Sequence, residues 1–349
     1  MDTISLRKEK YDAIDLAKLI GSFLVVAIHT QIFSSFSEGF NNYFINVFSR
    51  IAVYFFLISS VWFFFKNITF ENGKIQKSKE NFKRMKKYIL RLVILYSVWT
   101  IIYFLWQIPY WYQGGWLTIG NFVGYGLSCF VDRSYYHMWF LLSLIYAVPI
   151  MYFLLRYIKV KWFICIAVAL YVVGLLYGAY SFVGMPFQNL FDLLGDKWPR
   201  IRTVIFNVIP ICAFALIENK ISLSKAKIRI IAVLMLILFS VEGVWLFGYS
   251  PNTASAYCVF TIPAVLFVFL FIKSINIEIK YNYILRKLST LIYCMHPLIM
   301  GIFALFINKD NINSLGYCMI IISLNVIIGL MLIFLYTKFK CFKFLKYVM

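Results

Sequence analysis

Charge is what this sequence has least of. Only 14% of its 349 residues are Asp, Glu, Lys or Arg, against about 25% in an ordinary soluble domain, while 62% are hydrophobic and 20% aromatic. Such a composition excludes a water-soluble globule and implies a polytopic membrane protein. Histidine occurs three times, and acidic residues number 14 against 34 basic ones. The seven cysteines (Cys129, Cys165, Cys212, Cys258, Cys294, Cys318 and Cys341) are odd in number and lack any CxxC spacing. That excludes a disulfide framework or a thiolate metal site and leaves small apolar side chains in a membrane. No polar stretch is long enough for a second domain, and no internal repeat of the inverted-transporter kind is visible. Residues 1–349 read as a single integral-membrane domain. The first apolar run is longer than a signal-peptide core and no small-residue cleavage site follows it, so it reads as a retained helix.

A spanning helix needs about 20 mostly apolar residues. On that measure the sequence predicts an all-α fold of ten transmembrane helices, at 14–35, 43–65, 88–108, 136–155, 162–182, 203–218, 230–248, 254–273, 288–307 and 315–337. Tyr249 to Thr253 reads as a tight turn. With the N-terminus inside, the inner segments hold 27 basic residues and the outer ones 5, with Lys18 and Arg50 at or within helix ends. Basic residues accumulate on cytoplasmic loops facing anionic lipid, so both termini are predicted cytoplasmic. The same spread of charge over loops excludes nucleic acid as a partner and leaves the lipid bilayer. The stretch KSKENFKRMKKY within loop 66–87 reads as an amphipathic interfacial helix. Segments 109–135 and 183–202 read as re-entrant or lip-forming outer loops.

This topology gives the histidines a depth. His29 lies late in an outward-running helix, His137 begins an inward-running one, and His296 lies past the middle of another outward-running one. All three fall in the outer half, with Arg50 and Glu242. An ionisable group in the membrane costs about 2.5–3.5 kcal/mol unless it faces a partner or water. Their common level predicts a polar cavity open to the outside. Taken singly, each has a structural reading: His29 as a buried imidazole bonded to a neighbouring helix, His137 as part of an aromatic belt with Trp139, and His296 as a donor to carbonyls freed by Pro297. Likewise Glu242 and Arg50 can snorkel outward, and Asp15 with Lys18 can form an ion pair at the inner mouth. No His-x-x-x-His or His-carboxylate spacing supports a metal, and none is expected.

The spacing resembles the integral-membrane acyltransferase 3 family. Ile14 to Lys18 (IDLAK), with His29 eleven residues on, is similar to that family's opening Leu-Asp-x-x-Arg element and histidine. RIAVYFFLISS at 50–60, RMKKYILRL at 84–92, YHMWFL at 136–141 and STLIYCMHP at 289–297 resemble its later blocks in the same order. The resemblance is strongest over residues 10–300 and takes in all three histidines. Lysine stands at 18 where the family has arginine, and the paired arginines of its third helix reduce to Lys87 and Arg91. Lysine lacks the planar bidentate fork of arginine, so a phosphate would be gripped differently. Lys18, YILRL and the TyrHis-x-Trp block also resemble the membrane domain of vancomycin-resistance serine racemases.

The resemblance implies O-acyl transfer, most often of acetyl, from cytoplasmic acetyl-CoA to a hydroxyl of an extracytoplasmic glycan or cell-wall precursor. Histidine can serve as base or acyl carrier in such chemistry. His29 is the expected reacting group, with His137 and Arg50 orienting it or stabilising the oxyanion. His296 and Tyr293 are expected to line the acceptor side with Trp139, and Glu242 to pair with a histidine. Asp15, Lys18, Lys87 and Arg91 belong to the cytoplasmic mouth, where the donor's phosphates would sit. The alternative is transport of L-serine or another small solute through the same cavity, with Pro149, Pro210, Pro263 and Pro297 as candidate helix breaks. A non-catalytic scaffold is a third reading, which the clustered histidines disfavour. Richness in Phe, Ile, Lys and Asn points to an AT-rich bacterial genome and hence a bacterial plasma membrane. In a cysteine-free background, Ser78→Cys in intact cells is expected to resist a membrane-impermeant maleimide and Asn121→Cys to react; the opposite pattern contradicts the orientation.

Overall fold

The computed structural model describes residues 11–249, 257–308 and 311–349. Arg7, Lys8, Lys10, Lys309 and the turn from residue 250 onward lie outside the described residues. The helices are α1 (Asp12–Thr30), α2 (Glu38–Phe65, with a π turn at Phe44–Phe48), α3 (Lys79–Gln113), α4 (Ile119–Val131), α5 (Trp139–Leu155), α6 (Val160–Tyr177), α7 (Gln188–Lys197), α8 (Pro199–Leu216, with a π turn at Val204–Val208), α9 (Lys225–Tyr249), α10 (Thr261–Lys273), α11 (Asn282–Phe306) and α12 (Ser314–Lys338). The chain is an all-α polytopic membrane protein, in which eight helices among the described residues are long and apolar enough to cross a bilayer. Every one of the ten predicted spans has a helix.

Two of those helices are shorter than a span, α5 at 17 residues and α10 at 13. Both shortfalls have a local cause. The turns before α5 carry His137 into the interior, where its side chain is 2% exposed. Ahead of α10, the amides of Val259 and Phe260 bond to a carboxylate from α9 rather than to a preceding helical turn.

The connecting segments hold more structure than the sequence predicts. The 109–135 segment contains the apolar helix α4, capped by Thr118 accepting from the Asn121 amide, and 183–202 contains α7. KSKENFKRMKKY is not a separate interfacial helix. Ser78 caps it, and it runs unbroken into the membrane as the first turns of the 35-residue α3. Before it, Phe70–Glu71 and Lys74–Ile75 pair antiparallel around Asn72 and Gly73, both at positive φ as a tight hairpin turn requires.

Helix α1 lies at the centre, packed against α11, α2, α12 and α10. Helices α3, α9 and α12 are peripheral and present exposed apolar side chains such as Leu105, Val241 and Phe334, as faces against lipid do. Gly174 lets α6 approach α8: a Cβ there would stand 2.8 Å from the Phe206 carbonyl oxygen. Buried Glu218 accepts from the Trp62 indole at 2.9 Å and pairs with Lys273, tying α2 and α10 to the end of α8.

The carboxylate that starts α10 is Glu242, which the sequence reading placed with the histidines. It accepts from the amides of Val259 at 2.7 Å and Phe260 at 2.9 Å and from the Tyr180 hydroxyl. An anion at a helix N-terminus satisfies orphan amides and complements the dipole, so both oxygens of this acid are engaged by α10 and not by an imidazole. Removing it strands two amides. Glu242→Ala is expected to cost about 3 kcal/mol, and Glu242→Gln less, read as the thermal unfolding midpoint of the detergent-solubilised protein.

Candidate functional site

A cavity of about 760 Å³ lies between α1, α2, α3, α5 and α11 and opens at the end of the bundle where α1 begins. Phe56, Leu95, Leu141 and Leu144 make its apolar wall, and Lys18, Lys66, Arg91, Arg286 and Asp15 crowd its mouth. Asp15 and Lys18 share one face of α1, three residues apart. The Asp15 carboxylate pairs with Arg286 at 3.1 Å, however, and not with Lys18. The Lys18 ammonium lies over the Phe63 ring at 5.0 Å, and Lys66 over Tyr11 at 4.0 Å.

Along α3 the cavity face is Tyr88, Arg91, Leu92 and Leu95. Lys87 is exposed and off that wall, because one helical step turns it about 100° from Tyr88. Arg286 supplies the further cation that Lys87 was expected to give. Its signal was present in the sequence: Arg286, Ser289, Tyr293 and His296 recur at helical spacing, so Arg286 belongs one turn ahead of the STLIYCMHP block.

Tyr293 lines this cavity at the end nearest the histidines, and its hydroxyl donates to the carbonyl of His137. Its ring centroid lies 5.5 Å from the His137 ring. Beyond it the three histidines meet. The His296 ring is 5.1 Å from His29, stacked at 26°, and 5.2 Å from His137, edge to face. Tyr136 abuts His29 at 4.8 Å and Tyr103 abuts His137 at 5.1 Å.

The backbone of α11 explains this arrangement. Pro297 has no amide hydrogen, so the Tyr293 carbonyl loses its helical donor. His296 Nδ1 lies 2.9 Å from that carbonyl oxygen and 3.0 Å from that of Ile292. The next carbonyl, of Cys294, accepts from the Tyr103 hydroxyl at 2.7 Å and lies 3.2 Å from His137 Nε2. A carbonyl can only accept, so these ring nitrogens carry the hydrogens. The other nitrogens, His296 Nε2 and His137 Nδ1, are buried without a partner. His29 is half-buried.

Arg50 follows the π turn of α2. Its Nε is buried without a hydrogen-bond partner, and its charge is within electrostatic range of His29, Tyr54 and Tyr257. Trp139 does not line the cavity. It lies under the Arg200 guanidinium at 5.2 Å, and Arg200 pairs with Asp132 at 2.8 Å. That buried arginine, which the sequence shows only as one of the five outer-segment charges, braces the start of α5. Among the described residues, no group of three His, Cys, Asp or Glu side chains is arranged to hold a metal.

Comparison with known proteins agrees with this anatomy. An amino-acid racemase of Enterococcus faecalis is 24% identical over 306 residues, covering 84% of this chain and 42% of its own. A second amino-acid racemase of that organism is 28% identical over 175 residues, 50% of this chain and 23% of its own. The chain thus spans less than half the length of these curated relatives. No solved structure matches. The family model of the acyltransferase domain matches residues 11–337, a range that holds the cavity and all three histidines, and the chain belongs to that acyltransferase 3 family of membrane proteins.

Proposed function

We propose that this protein transfers an acyl group, acetyl in the first instance, from a cytoplasmic acyl-CoA to a hydroxyl of an extracytoplasmic glycan or cell-wall precursor. The observation that carries the reading is an alignment of three features: a basic mouth, an apolar cavity and, behind its Tyr293 wall, a cluster of three imidazoles. Lys18, Arg91 and Arg286 would hold the donor's phosphates, the guanidinium groups by paired bonds and Lys18 as a point charge. The apolar wall accommodates the pantetheine arm. From Lys18 to His29 is roughly 16 Å at 1.5 Å per residue, within reach of that arm when extended.

At the far end His29 is the reacting imidazole, half-buried where the other two are enclosed. The unpaired Nε of Arg50 suits it to the oxyanion that develops as the thioester carbonyl is attacked. The concentration of basic loops supports reading the cavity's side as the cytoplasmic face of a cell membrane, with both termini there.

A second reading stands beside it, prompted by the likeness to amino-acid racemases: the same cavity would pass a small amino acid such as L-serine unchanged. The two readings separate in one experiment. Membrane vesicles given radiolabelled acetyl-CoA are expected to label the envelope glycan fraction. His29→Ala should lower that labelling at least about 100-fold. Arg286→Ala should raise the KM for acetyl-CoA about tenfold with kcat nearly unchanged, as loss of a charge-assisted bond made equally in ground and transition states requires. Absent labelling, with L-serine uptake that falls in His29→Ala, supports transport instead.

A further inference from the structure

We propose that His296 is the general base that takes the proton of the acceptor hydroxyl, which leaves His29 to carry the acyl group. This assignment rests on the acyl-transfer reading above. It starts from the absent amide of Pro297. With the Tyr293 carbonyl unclaimed by the backbone, the hydrogen on His296 Nδ1 is held between two carbonyl oxygens, at 2.9 and 3.0 Å. A neutral imidazole with its hydrogen fixed on Nδ1 presents its lone pair at Nε2 at all times. That nitrogen is buried and unpartnered, on a ring with 0% exposure. An enclosed acceptor with no donor suits a hydroxyl.

His137 also keeps a free lone pair, at Nδ1, because its Nε2 is bound to the Cys294 carbonyl. The two rings differ in what they face. His296 stacks on His29 at 5.1 Å, whereas His137 meets His296 edge-on and its remaining ring neighbours are tyrosines. His296 is therefore the fixed lone pair beside the reacting ring, and His137 a positioning residue behind it. Among the described residues no hydrogen bond ties the His29 ring, which leaves either ring nitrogen able to attack.

The chemistry then divides into two balanced steps. A lone pair of His29 attacks the thioester carbon, the C–S bond breaks, and the thiolate leaves an acyl-imidazolium. The acceptor oxygen next attacks the acyl carbon, its proton passes to His296 Nε2, and the electron pair of the C–N bond returns to His29. The thiolate takes the proton from His296 as the free thiol. One O–H and one C–S bond are exchanged for one C–O and one S–H bond.

The test uses the full chain in inverted membrane vesicles supplied with radiolabelled acetyl-CoA, with label counted separately on the protein and in the glycan fraction. His296→Asn keeps an N–H where Nδ1 was, so the Tyr293 carbonyl stays satisfied, but it removes the Nε2 lone pair. It is expected to accumulate label on the protein while glycan labelling falls at least about 100-fold, whereas His29→Ala holds no label on the protein. Pro297→Ala restores the amide and frees the tautomer of His296, so it should slow the second step several-fold and shift its pH profile, with the first step unchanged. This second variant tests the assignment even if His296→Asn fails to assemble. Wild-type glycan labelling in both variants, or equal loss of both steps in a His296→Asn protein that is assembled in the membrane at wild-type level, overturns it and leaves His296 a packing role. If the wild type labels no glycan, the acyl-transfer reading fails and takes this assignment with it; if the wild type labels and His296→Asn labels equally, this assignment alone fails.

Discussion

At position 297 the helix α11 has no amide hydrogen to offer the Tyr293 carbonyl, and the groups that answer this gap compose the centre of the molecule. His296 reaches back to the vacant carbonyl from the next position in the chain. Tyr103 from α3 and His137 from the start of α5 take the adjoining carbonyl of Cys294. Tyr293 returns the contact by bonding the His137 backbone. Two adjoining carbonyls of α11, one of them left vacant by Pro297, thereby gather three helices around two imidazoles and fix which nitrogen of each bears its hydrogen. In a membrane interior, where no water stands by to satisfy a stray carbonyl, such compensation by side chains is obligatory. Here the side chains that compensate are imidazoles and a phenol, groups able in principle to carry protons.

Two ends of a single helix give the site its polarity. At the beginning of α1, Asp12 bonds the Ile279 amide and the Asn282 side chain, fastening α1 to the start of α11, while Asp15 holds Arg286 at the cavity mouth. Eleven residues after Lys18, the same helix delivers His29 to the stack on α11. Because α1 packs against α11, the spacing between the cationic mouth and the imidazole cluster is set by a pair of packed helices and not by loops. Under the proposed function that separation is what lets a donor remain on one side of the membrane while its thioester reacts towards the other.

Much of this was legible beforehand, for identifiable reasons. Hydropathy placed a helix in each of ten segments, eight of them among the described residues long and apolar enough to cross, because a bilayer asks for about 20 apolar residues per span. The shared depth of His29, His137 and His296 followed from counting along helices of known rise, and the rings do meet. What failed was direction around a helix. Glu242 has the right depth but points at the start of α10, and Lys87 lies one step off the face that Tyr88 and Arg91 present. Asp15 and Lys18 satisfy the rule for intrahelical pairs, yet a residue 271 positions away takes the carboxylate. Pairing between helices distant in sequence leaves no local trace. The interruption of α11 at Pro297 was visible, but that the same proline fixes a tautomer became visible only with the distances.

The tautomer is also where the account is most exposed to measurement. Nitrogen-15 NMR of histidine-labelled protein in lipid, with the three rings assigned by single substitutions, reads which ring nitrogen bears hydrogen. The account predicts His296 protonated at Nδ1 and bare at Nε2, His137 the reverse, and loss of the His296 preference in Pro297→Ala. A His296 ring protonated at Nε2 in the wild type would contradict the claim that the missing amide of Pro297 organises the site.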